Sequence, residues 1–113
     1  MSSQAVRAAA VCAALALATL VAYGSFADFE FVNWDDRVYV TQNAQVRAGL
    51  TGESVRWAIT ATDAHNWHPL TWLSHMLDVE LFGLDARGHH LSNASWHALA
   101  AALFFLALAS LLE

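Results

Sequence analysis

The sequence predicts a mostly α-helical integral membrane architecture: two transmembrane helices joined by a long extracytoplasmic loop that carries short interfacial helices. Three observations carry that prediction. Hydrophobic residues make up 58% of the 113 positions and charged residues only 13%, a balance shifted to the apolar side of globular usage. The apolar residues concentrate at the two ends, with no charged side chain from Ala8 to Ala27 or from Leu91 to Leu112. Each run reaches ~30 Å as a helix, enough to cross a hydrocarbon core. The expected organisation is a cytoplasmic N-terminus over 1–7, a first span over 8–27, a loop over 28–90 and a second span over 91–112.

The formal charge of -5 arises from ten acidic and five basic residues, most of them in the loop. No basic patch is present, which argues against a nucleic-acid partner. The lone Cys12 lies inside the first span and forms no intrachain disulfide. Arg7, the apolar stretch to Val21 and Ser25-Phe26-Ala27 also match a cleavable signal peptide. The run continues through Phe26, longer than most such segments, and so favours an uncleaved anchor. Arg7 favours a cytoplasmic N-terminus, but the arginines of the loop leave orientation open. The sequence stops at Glu113 as the second span ends, which suggests a piece of a longer protein.

After the first span, Asn33-Trp34-Asp35-Asp36-Arg37 places a tight acidic pair among Phe29, Phe31, Trp34 and Tyr39, aromatic residues of the kind that mark a membrane–water boundary. Partial burial and the like-charged neighbour favour a neutral carboxyl, while Arg37 favours the charged form; such a balance suits a general base. The plain alternative is a turn in which Asn33 and Asp35 bond their own backbone. Val38-Tyr39-Val40-Thr41 is strand-like but too short for a sheet, and Gln42-Asn43-Ala44-Gln45 reads as a turn.

Thr51 is a good N-cap, Glu53 suits a first turn, and Val55, Ala58 and Ile59 share a face, so a helix is predicted over 52–60. Leu50 is expected to staple onto Val55. Pro69 opens a second helix whose stripe of Leu70, Leu73, Leu77 and Leu81 recurs at helical spacing, with Gly83 as its stop. Thr71, Ser74, His75 and Asp78 occupy its opposite side, expected to face protein or water. Leu84 to Gly88 read as a turn before the second span, on which His90, Asn93 and His97 share one side.

Asp63, His65 and His68 have a loop spacing suited to zinc. No second His or Cys pair stands at ligand spacing, and His90 and His97 are separated by a rise of ~10 Å along a helix. No metal site is assigned on these grounds, and a divalent metal is not expected. Phosphate loops, nucleophile elbows and dinucleotide fingerprints are absent.

Taken in order, Phe31-Val32-Asn33-Trp34-Asp35-Asp36, Trp57-Ala58-Ile59-Thr60, Asn66-Trp67-His68-Pro69-Leu70-Thr71-Trp72-Leu73, Phe82-Gly83-Leu84 and Gly88-His89-His90-Leu91-Ser92-Asn93 resemble the N-terminal membrane region of multi-span GT-C fold glycosyltransferases. The likeness is greatest to the transmembrane and tetratricopeptide-repeat O-mannosyltransferases and their bacterial tetratricopeptide-repeat relatives. The resemblance implies a first loop facing the periplasm or lumen, with an acidic motif at the site, and a multi-pass protein of a bacterial inner membrane. It implies transfer of a mannose-like sugar from a polyprenyl phosphate to an acceptor hydroxyl. On this sequence the motif falls on Asp35 and Asp36 as catalytic residues. Arg37, His65 and His68 are candidates for substrate binding. The implied partners are the polyprenyl-phosphate sugar, membrane lipid and further spans of the same or another protein. This chain has neither the many spans nor the repeats, so it is expected to be inactive alone. The alternatives are a small two-span subunit or assembly factor without catalysis, or a secreted domain tethered by its last span.

Overall fold

The computed structural model describes residues 2–112, the side chain of Ala27 excepted. Glu113, where the sequence stops, lies outside the described residues. The architecture is mostly helical, with no strand among the described residues, and it divides into two compact units: Met1–Ala27 with His90–Glu113, and Asp28–His89.

The first unit contains α1 (Ser3–Ala22) and most of α5 (Ala86–Leu111), both long and apolar enough to cross a membrane. Ser2 caps α1, its hydroxyl accepting from the Ala5 N–H at 3.2 Å. Helix α1 starts and ends earlier than the uncharged run and passes into a 3-10 turn over Gly24–Asp28. No residue of α1 is buried. On α5, Ala94 and Ala98 are buried and Ala102 half-buried, a small residue at every fourth position. Small residues at that spacing let helix backbones approach. Accordingly the Cys12 Sγ lies 4.0 Å from the Ala102 carbonyl, and the Tyr23 and His97 rings meet edge to face at 5.4 Å.

The second unit is a miniature helical domain. After a turn at Asn33–Trp34 comes a π-helical turn over Arg37–Thr41, then α2 (Ala44–Arg47), α3 (Gly52–Thr60), a 3-10 turn over Asp63–His65 and α4 (Pro69–Phe82). The strand-like run Val38–Thr41 is therefore helical. Its intrinsic preference yields to packing, because the turn stacks Tyr39 on Trp72 at 5.0 Å and buries Val40. Asn43 closes the turn and starts the next helix: its Nδ2 donates to the Val38 carbonyl, and its Oδ1 accepts from the Gln45 and Val46 amides at 3.1 Å.

Helix α3 occupies the predicted residues. Thr51 Oγ1 accepts from the Ser54 amide, Ser54 Oγ accepts from the Thr51 amide, and Ser54 Oγ donates to the Gly49 carbonyl at 2.6 Å. Ser54 and Ala58 form its buried face, whereas Ile59 is exposed. Trp67 ties down the following loop by donating from Nε1 to the Ile59 carbonyl at 2.8 Å. Helix α4 starts at Pro69 and ends at Gly83, whose φ of 63° is one a side chain resists.

The core is Val46 of α2, Ala58 of α3, and Trp72 and Met76 of α4, all fully buried, with Tyr39, Trp57, Leu73 and Val79 packed around them. The leucine stripe of α4 does not face this core. Leu70 is 80% and Leu81 64% exposed, and Leu77 is exposed as well; only Leu73 packs inward. The bulky Trp72–Met76 pair, four residues apart, sets the buried face instead. Helix α5 starts at Ala86, within the stretch expected as a turn. Gly88 permits this, since a Cβ there would run into the Phe82 ring.

Candidate functional site

Two features of the Asp28–His89 unit are candidates for chemistry: an open cleft beside the acidic turn, and a largely buried histidine–carboxylate cluster. The acidic turn is held by its own side chains. Asp36 is half-buried, and its Oδ2 accepts from the Val32 amide at 2.8 Å, which closes the turn across Asn33–Asp35. Asp35 is exposed. Arg37 reaches neither carboxylate; it donates to Asn33 Oδ1 at 2.9 Å and to Gln42 Oε1 at 3.1 Å. Both partners are neutral amides, so the guanidinium is positioned while its positive charge stays unmatched by a carboxylate among the described residues.

Asn33, Trp34, Arg37, Gln42, Trp57 and Asp63 line an open cleft of about 630 Å³. Trp34 stands 79% exposed at its rim. Of the catalytic and substrate-binding candidates named from the sequence, Arg37 lines this cleft, joined by Asp63 from the trio with zinc-like spacing; Asp35, Asp36, His65 and His68 are not among its lining residues. His65 is exposed on a turn where Ala64 and His65 both adopt positive φ. His68 is half-buried and turned into the aromatic core, 4.8 Å from the Trp72 ring and 5.5 Å from Tyr39. Asp63, His65 and His68 are therefore not assembled as a ligand set.

The structure brings together a different set. His75 and Asp78 lie one turn apart on α4, and the first turn of α5 supplies His89; one donor atom from each lies within 4.8 Å of the others. Asp78 and His89 are buried. His89 Nε2 lies 2.9 Å from the Gly83 carbonyl. A carbonyl oxygen only accepts, so Nε2 carries the proton and a neutral His89 presents a lone pair at Nδ1. That Nδ1 faces Asp78 Oδ2 at 3.9 Å, beyond hydrogen-bond length. His75 Nδ1 and His89 Nδ1 are both buried without a hydrogen-bonding partner among the described residues.

Burial pushes the His75 imidazole below its ordinary value; the Asp78 charge opposes that shift, His89 adds to it, Asp36 opposes it and His68 adds. Phe31, a few residues ahead of the acidic pair, packs its ring edge to face on His89 at 5.2 Å.

Sequence reasoning placed His75 and Asp78 on one face of α4 but did not join them to His89. The usable signal was the three-residue spacing of His75 and Asp78, followed past a Gly83 turn by a histidine in the next helix. In the other unit, His90, Asn93 and His97 do share a side of α5, and with Tyr23, Phe26 and Ala94 they line a small cavity of about 210 Å³. Comparison of the chain with protein-family models, curated proteins and solved structures returned no match.

Proposed function

We propose that the chain supplies the first extracytoplasmic loop, with its flanking spans, of a GT-C type membrane glycosyltransferase that transfers a mannose-like sugar from a polyprenyl phosphate to an acceptor hydroxyl. The single observation that carries this reading is the cleft beside the acidic turn. It offers an exposed tryptophan face at Trp34, a second indole at Trp57, and Arg37 with its charge unmatched by a carboxylate. A sugar ring suits the indole faces, and a guanidinium suits a phosphate. The ordered resemblance of the loop supports the same reading.

In this scheme Asp35, exposed and adjacent, is the general base that takes the proton of the acceptor hydroxyl. Asp36 holds the turn through the Val32 amide and so positions Asp35. His65 and His68 do not line the cleft, so in this scheme they have no direct contact with the donor there, and His68 supports the aromatic layer behind it. The loop faces the periplasm of a multi-pass protein in a bacterial inner membrane, and further spans of the same or a partner protein complete the site.

The test is sugar transfer from a polyprenyl-phosphate mannose donor, measured in membranes carrying the full-length protein. Asp35→Asn is expected to lower turnover by about 10²–10⁴-fold, the span of a lost general base, with helical circular dichroism unchanged. An Asp35→Asn protein with full activity would remove the assignment. A second reading, a non-catalytic subunit that binds partner helices, is favoured by the outward leucines Leu70, Leu77 and Leu81. It predicts no transfer by any assembly containing the chain.

A further inference from the structure

We propose that His75, Asp78 and His89 form a binding site for one divalent transition-metal ion, of which zinc is the type the donor set fits best. The inference is independent of the transferase reading. It starts from an electrostatic mismatch. The Nδ1 lone pair of a neutral His89 and the Asp78 carboxylate are both acceptors, they face each other at 3.9 Å, and both residues are buried. Two buried acceptors brought face to face need a cation or a donor between them.

A protonated His89 would meet the carboxylate as an ion pair at 3.9 Å, with no N–H···O bond at that length and with His75 Nδ1 still unpartnered. A metal ion resolves it with the atoms already there. Two imidazoles and one carboxylate are a donor set suited to zinc, whereas magnesium and calcium prefer oxygen donors. The three donor atoms lie within 4.8 Å of one another. Ligands around a tetrahedral zinc ion at about 2.0–2.2 Å stand about 3.3 Å apart, so small side-chain rotations close the set.

Two further features match a metal centre. The Nε2–H of His89 donates to the Gly83 carbonyl at 2.9 Å, the outer-shell bond that fixes a ligating imidazole in the correct tautomer. His75 Nδ1 is likewise buried without a partner among the described residues. Three protein ligands leave a fourth position, the arrangement in which zinc holds an exchangeable water.

The experiment uses the chain in detergent or nanodiscs with cobalt(II) as a spectroscopic stand-in for zinc. Expected is uptake of one Co²⁺ per chain with visible absorption of tetrahedral type, displaced by Zn²⁺. His75→Gln, Asp78→Asn and His89→Gln should each weaken uptake about tenfold or more, while His97→Gln, on the spanning part of α5, leaves it unchanged. Each variant is checked for helical circular dichroism. If one fails to fold, ¹⁵N-histidine spectra of the unmodified chain decide: zinc should shift the His75 and His89 ring nitrogens before those of the other histidines. No stoichiometric uptake by the folded chain, retention of the cobalt spectrum in all three folded variants, or zinc shifts confined to other histidines would overturn the proposal.

Discussion

The two units of this chain are held together in opposite ways. In α1 no residue is buried, and long apolar side chains such as Leu17 and Val21 stand 63% and 71% exposed. In the Asp28–His89 unit, Val46, Ala58, Trp72 and Met76 are fully sealed from solvent by three short helices and a π-helical turn. The first arrangement is stable where the surroundings are themselves apolar, as in a bilayer or against other spans. The second carries its own core, small as it is. Hydropathy therefore locates the two long apolar helices, while the Asp28–His89 unit is folded by packing rules of its own.

Trp72→Ala should break the comparison most severely. Its ring contacts Tyr39, Trp57 and His68 at 5.0, 5.0 and 4.8 Å, and removing it should cost about 3–5 kcal/mol, enough to unfold a small unit. Hydrogen exchange should then show lost protection over α2–α4 with α1 and α5 beyond His89 still protected; equal loss in both units would mean that they fold as one.

A smaller effect is expected from Gly49→Ala. Gly49 has a φ of 71°, and its Cβ would collide with the Glu80 carboxylate that accepts from the Leu50 amide at 3.0 Å. Backbone strain and the displaced carboxylate together should cost about 1–2 kcal/mol in denaturant unfolding. Glu80→Ala, which loses only the hydrogen bond, should cost less.

The smallest effect sharpens the contrast between faces of one helix. Leu70→Ala removes an outward leucine and should alter stability in detergent by no more than about 0.5 kcal/mol. Met76→Ala, on the inner face of the same helix, should cost about 2–5 kcal/mol.

Punctuation was legible in the sequence. Thr51 and Pro69 start α3 and α4 where their capping chemistry says they should, Gly83 stops α4, and the uncharged runs locate the two long helices. These are local effects, decided by hydrogen bonds and φ preferences within a few residues or by hydropathy summed over a span. Asp35, Asp36 and Arg37 could be singled out by type, but not their hydrogen bonds, since Arg37 satisfies itself on Asn33 and Gln42 rather than on an acid.

Tertiary structure alone decided which face of α4 is inside. A leucine stripe and a Trp72–Met76 face are both apolar, and only the partners α2 and α3 select between them. It also turned the β-branched run Val38–Thr41 into a π-helical turn, because stacking Tyr39 on Trp72 outweighs a weak local preference. His75 and Asp78 came from one helix face, legible from their spacing. His89 joins them because Gly83 reverses the chain and Gly88 lets α5 close on Phe82, so the buried cluster depends on long-range geometry that no local pattern encodes.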